Sequence, residues 1–143
     1  QILKPRVYAK TMIKWLNSLQ PFGALLLRLV LGTSMIYHGY PKVVPHGALD
    51  HHAHFVATLG FPSWLGYVSA FTEFAGGILL ILGLLTRLAA FMVTINMLVA
   101  LITVNRHHGY AGSEYSLALC VIAVMLTVYG PGAIALDRRL NLA

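Results

Sequence analysis

The sequence predicts an all-α integral membrane protein: a four-helix bundle, both termini on the cytoplasmic side, preceded by a basic interfacial N-terminal segment. Three observations predict it. Of 143 residues, 58% are hydrophobic and only 10% charged, against about 25% charged in a typical water-soluble domain. The mean hydropathy is +0.75. The apolar residues gather in four runs that approach the ~20 residues needed to cross ~30 Å of hydrocarbon. Finally, the basic residues behind the net charge of +6 sit at the ends of those runs and crowd onto one side. They form no basic patch with interleaved aromatics, so nucleic acid is not an expected partner.

Residues 1–20 read as a segment apart from the membrane domain of residues 21–143. Lys4, Arg6, Lys10 and Lys14 accompany Trp15, a pattern that suits a helix from Ile2 to Leu19 lying at the headgroups. A solvated basic tail is the plainer reading. Residues 1–14 are polar and basic rather than a short apolar core, so no cleavable leader is expected from them.

The first span is expected from about Phe22 to Tyr40. Pro21 suits a helix start, where its missing N–H costs nothing, and Gly39, Pro41 and Pro45 suit a helix end. A second span follows from about Trp64 to Leu85, with Ser63 as its candidate N-cap. The third runs from about Leu88 to Asn105, and the fourth from about Tyr115 to Ala135, broken or kinked near its end by Gly130-Pro131-Gly132. The runs are too long for buried strands, and backbone groups in lipid must be satisfied within the segment, so all four are helices. The short Thr86-Arg87 connection makes the second and third antiparallel neighbours. With the N-terminus inside, Lys4, Arg6, Lys10, Lys14, Arg87, Arg138 and Arg139 fall on the cytoplasmic side, against Lys42 and Arg106 outside. That asymmetry sets the expected orientation.

The motifs then align with a known family. Tyr37-His38-Gly39-x-x-Lys42 resembles the aromatic/His-Gly-x-x-Lys element of the DoxX family. Glu73-x-x-Gly76-Gly77 followed by Leu82-Gly83-Leu84-Leu85-Thr86-Arg87 is similar to its central signature. Glu114 and Gly130-Pro131-Gly132 through Leu136-Asp137 resemble its closing pattern. The likeness runs in order from about Ala24 to Leu140. It implies a four-helix protein of a bacterial or archaeal cytoplasmic membrane, in a family whose name comes from a subunit of an archaeal terminal quinol oxidase, with related proteins in thiosulfate:quinone oxidoreduction. The histidine-rich stretch after Pro45 falls outside that pattern.

Candidate chemistry begins with Arg28 and Glu73, charges inside spans where an unpaired group costs at least ~2.5–3.5 kcal/mol on insertion scales. At 1.5 Å per residue they lie about 10 Å and about 18 Å from the cytoplasmic ends of their helices. They are expected to face the interior and to pair or share a polar pocket, either as a proton or quinone-headgroup site or as an ion pair that fixes register. His38, Lys42 and Glu114 complete the candidate polar site, His38 lying at the boundary close to Lys42. Glu114 also reads as a charge favouring the positive end of the fourth helix, with Ser113 as its cap. Asn96 and Asn105 read as interhelical glue more than as ligands.

All seven histidines fall on the other side from the basic tail. His51, His52, His54, His107 and His108 are candidate metal ligands, although their spacing matches no specific metal motif; solvated side chains or partner contacts are the plainer reading.

Absences narrow the function. There is no P-loop, dinucleotide fingerprint or Gly-x-Ser-x-Gly element. The lone Cys120 excludes an intrachain disulfide or C-x-x-C centre, and no inverted repeat marks a transporter. Three readings remain. The first is a membrane subunit of a quinone-linked electron-transfer complex, with quinone as the implied ligand. A purely structural subunit of a respiratory or photosynthetic assembly is the second, and a metal or ligand site at the histidine face the third. All three leave membrane lipids and other membrane-protein subunits as partners. An interior polar pocket open to lipid favours the first; a tight bundle with an Arg28–Glu73 pair favours the second.

Overall fold

The computed structural model describes residues 4–142, with side chains described for residues 10–107 and 109–142. The order is α1 (Lys4–Val43), α2 (Ala48–Thr58), α3 (Trp64–Leu82), α4 (Thr86–Thr103), a 3-10 turn (Asn105–His108), α5 (Gly109–Tyr129) and α6 (Leu136–Arg139). No strand occurs among the described residues. Among the described residues four helices are long and apolar enough to cross a membrane, within Lys10–Val43, Trp64–Leu82, Thr86–His107 and Gly109–Tyr129.

α1 packs on α3, α3 on α4, and α4 on α5, with α2 laid against α3. The closest seam joins α1 and α3. Gly32 and Gly77 oppose each other there, and a β-carbon on either would come within 2.8 Å of the other's carbonyl oxygen. Small residues let helix backbones meet in lipid, where packing rather than hydrophobic collapse drives association. Ala24, Leu31, Met35, Leu80, Val93, Ala123 and Leu126 fill the core.

Element boundaries depart from the sequence expectation in informative ways. Pro21 does not open the first span; it lies inside a 40-residue helix, as does Pro41. Residues 10–20 of that helix are exposed, so the backbone carbonyl that Pro21 deprives of a donor faces the surroundings rather than the core. Residues 1–3 and the side chains of Lys4 and Arg6 lie outside the described residues. The fourth helix starts earlier than expected, at Gly109, and stops at Tyr129. Ser113 is therefore no cap: its Oγ donates back to the Gly109 carbonyl at 2.8 Å. Ser63 does stand at the N-cap of α3 but makes no side-chain capping bond. The histidine-rich stretch between the first two spans holds a helix of its own, α2.

One end of the bundle, which we call the basic end, carries Arg87, Arg138 and Arg139. The other, the histidine end, carries α2, the start of α5 and the histidines. At the basic end, buried Arg28 is gripped by the Gly-Pro-Gly loop. Its Nη1 donates to the Pro131 carbonyl at 2.6 Å and the Ala133 carbonyl at 3.5 Å, and its Nη2 to the Ile134 carbonyl at 2.8 Å. Asp137, also buried, accepts from the backbone N–H groups of Leu85 (2.6 Å) and Thr86 (2.8 Å) and so caps α4. A carboxylate there satisfies donors that a helix start leaves open and complements its dipole. Gly83 allows both contacts: it takes the left-handed conformation that ends α3, and its carbonyl accepts from the Asp137 N–H at 2.9 Å.

Candidate functional site

The expected pairing of Arg28 with Glu73 does not occur. A β-carbon on Gly83 would touch Arg28 Nη1 at 2.6 Å, so the guanidinium sits level with the end of α3, about 15 Å along the axis from Glu73 at 1.5 Å per residue. Counting depth from Pro21 placed Arg28 too deep, because α3 ends level with the Arg28 guanidinium and α1 at Pro21 already projects past that end.

Glu73 has other partners. It is 4% exposed; Oε2 pairs with Lys42 Nζ at 2.5 Å, and Oε1 accepts from Asn96 Nδ2 at 2.9 Å. The pairing with Lys42 is built by Gly39. A β-carbon on Gly39 would lie 2.5 Å from Phe74 N and 2.9 Å from the Glu73 carbonyl carbon, so the backbones of α1 and α3 touch at this level. Lys42 stands three residues further along α1, on the same face, and reaches the carboxylate. The motif Gly39-x-x-Lys42 is therefore a contact followed by a reach.

These groups stand on the wall of a cavity of about 490 Å³ in the histidine half, bounded by α1, α3, α4 and α5 and roofed by α2 and Phe61. Its walls are mainly apolar: Met35, Met92, Met97, Leu65, Phe55 and Phe61 contribute. Val68 of α3 and Ile95 of α4 line it and remain 39% and 43% exposed, so the cavity is not sealed off within the bundle. A pocket of this size, apolar with a few convergent polar groups, is the usual form of a small-molecule site. α2 is seated closely, since a β-carbon on Gly66 would come within 2.5 Å of the Ala53 α-carbon.

Spare hydrogen-bonding capacity remains. Lys42 uses one of its three N–H donors on Glu73 in the bonds formed among the described residues, and a carboxylate with two partners has further lone pairs. The group can thus donate to a carbonyl oxygen and accept a proton at one spot.

His52, offered as a metal ligand, instead faces this cavity from α2, its Nε2 3.5 Å from Ser69 Oγ. Burial holds it below its ordinary value of 6.5; the Lys42 charge and neighbouring His51 add to that effect, and Glu73 opposes it. The neutral ring is therefore favoured. His38 also lines the cavity, its ring 5.6 Å from that of Tyr115. Glu114 lies on the exposed face of α5, one residue from cavity-lining Tyr115, and no bond joins it to His38 among the described residues.

The metal candidates do not assemble. Among the described residues, no three His, Cys, Asp or Glu side chains converge as a metal site requires. The helical turn of α2 carries His52 towards the cavity and away from His51 and His54, which stay together on an exposed face. His107 accepts from Arg106 Nε at 3.0 Å, and the His108 side chain lies outside the described residues.

Asn96 was the residue that sequence reasoning undervalued. A signal was present: Glu73 and Asn96 are each nine or ten residues from the α3–α4 turn, so equal rise puts them at one depth on antiparallel neighbours.

Comparison with known proteins agrees with this architecture. The family model described as DoxX matches residues 23–106. A Bacillus subtilis (strain 168) protein named putative oxidoreductase CatD is 30% identical over 123 residues, covering 85% of this chain and 90% of that protein. An Escherichia coli (strain K12) protein named inner membrane protein YqjF is 26% identical over 133 residues, covering 88% and 98% respectively. No solved structure matches.

Proposed function

Because the chain belongs to the DoxX family, we propose that it is the membrane subunit of a quinone-linked redox system and holds a quinone-class molecule in the histidine-half cavity. The observation that carries this reading is the Lys42–Glu73–Asn96 group on the wall of a mainly apolar cavity. A lipid-soluble ring with carbonyl or hydroxyl oxygens fits both halves of that description. Its ring meets methionine and aromatic walls; its oxygens meet the only charged pair within reach among the described cavity residues. The name of the Bacillus subtilis relative, putative oxidoreductase CatD, points the same way.

In this reading Lys42 donates to a quinone oxygen and orients the ring. Glu73 accepts a proton from the hydroxyl form and returns one to the carbonyl form, held in place by Asn96. The electrons pass to or from a partner redox subunit. His38 and His52 edge the path by which that proton reaches the histidine end. In the same reading both termini lie on the cytoplasmic side, which the excess of basic residues at the other end supports. The structural-subunit alternative loses the feature that favoured it, since Arg28 and Glu73 do not pair.

The test is direct. The chain, purified in mild detergent and equilibrated with excess quinone, should retain about one quinone per chain by native mass spectrometry and solvent extraction. Glu73→Gln should lose most of it while folding normally. Retention no greater than a detergent blank would overturn the reading.

A further inference from the structure

The basic end carries a second cavity, of about 430 Å³, lined by Arg87, Tyr129, Pro131, Gly132, Arg138 and Asn141. It sits where spans end: α5 closes at Tyr129 and α4 opens at Thr86. That is the depth of lipid headgroups.

Arg87 is held but not saturated. Its Nη1 donates to the Thr127 carbonyl at 2.9 Å and the Val128 carbonyl at 2.7 Å, and its Nη2 to the Tyr129 carbonyl at 3.3 Å. These bonds use three of five guanidinium donors. The Nε–H and one Nη2–H remain, side by side on one edge, the fork that matches two oxygens of a phosphate. Gly130 keeps that edge uncrowded, since a β-carbon there would sit 3.1 Å from Nη2 and 3.3 Å from Nε.

Charge and apolar surface add two further requirements. Arg28 and Asp137 are buried and engaged with backbone groups, which leaves Arg87, Arg138 and Arg139 as exposed cations. Beside the cavity, Val128 and Ile134 are each 74% exposed, and Leu140 and Leu142 are 57% and 55% exposed. A polar, cationic pocket with an apolar collar at the interface fits an amphiphile with an anionic head. We propose that this pocket holds the phosphate of an anionic phospholipid, gripped by the Arg87 fork and Arg138, with Asn141 as a neutral donor and the acyl chains along the collar.

The experiment reconstitutes the full chain in equimolar phosphatidylglycerol and phosphatidylcholine vesicles, returns it to mild detergent and counts retained lipid by native mass spectrometry. Phosphatidylglycerol should be retained over phosphatidylcholine. Arg138→Gln, which removes no bond within the fold, should weaken retention about fivefold, the effect of one basic residue at a membrane surface. Arg139→Gln, exposed and outside the pocket, should leave it unchanged. Equal retention of the two lipids, or equal losses in the two variants, would overturn the site. Competition by inorganic phosphate without any lipid preference would overturn the lipid assignment.

Discussion

The two halves of this bundle bury similar side chains and use them in opposite ways. In the basic half, Arg28 and Asp137 engage backbone groups: three carbonyls for one, two N–H groups for the other. In the histidine half, Lys42, Glu73 and Asn96 engage one another and line a cavity. A charge spent on backbone groups holds a loop or caps a helix and has little left for a ligand. A charge held by another side chain beside open space keeps valence that a ligand can use. The difference teaches that an intramembrane ionisable residue is sorted into structure or site by its partners, not by its burial.

The largest effect should come from the structural half. Arg28→Met strands the Pro131, Ala133 and Ile134 carbonyls and leaves buried Asp137 without a nearby cation. The lost charge-assisted bonds predict a destabilisation of about 3 kcal/mol or more, measured as the fall in thermal midpoint in detergent. A variant as stable as the parent would show that the loop is held by packing alone.

Next in size is Gly39→Ala. The added carbon has no room against Phe74 N and the Glu73 carbonyl carbon, so α1 and α3 must separate, at a cost of about 1–3 kcal/mol. Here the two halves should uncouple: quinone retention is lost along with stability, because Lys42 no longer reaches Glu73. Retained binding would mean that the pair does not form the site.

Glu73→Gln sharpens the contrast further. The shape is preserved and Asn96 keeps an oxygen to donate to, so the thermal midpoint should move by only a few degrees, on the order of 1 kcal/mol. Quinone retention, by contrast, should fall at least tenfold. A variant that fails to fold yet binds normally when stabilised would assign Glu73 to structure.

The smallest effect concerns His52. Its proton is held less tightly in the folded chain than at its ordinary value of 6.5, so the unfolded chain takes up the proton first as pH falls. Its contribution to stability is full above pH 6.5 and declines below it, towards the folded value. His52→Asn should therefore flatten the dependence of the thermal midpoint on pH in that window. An unchanged slope would show that the ring titrates freely.

The residue types of the candidate site were legible in the sequence, but their pairing was not. Glu73, Lys42 and His38 stood out as polar groups within or beside apolar runs, and the structure gathers all three at one cavity. Arg28 was assigned to the same pocket because depth was counted from Pro21, and a proline that suits a helix start does not oblige one. Metal ligation was read from the proximity of His51, His52 and His54 along the chain. Helical rotation in α2 leaves His51 and His54 side by side but turns His52 away to the cavity. The cap on α4 was beyond any local reading, since Asp137 lies 51 residues from Thr86.

What the sequence determined by itself was the membrane, the four helices and the pairing of the second span with the third. These follow from composition, run length and short connections, all of which are local or additive along the chain. Only the tertiary structure decided which charge meets which and where space remains. Those outcomes depend on close approaches such as Gly39 against Phe74 and on a loop returning to Arg28 from more than a hundred positions away. A cavity is what packing leaves unfilled, and no single helix carries that information.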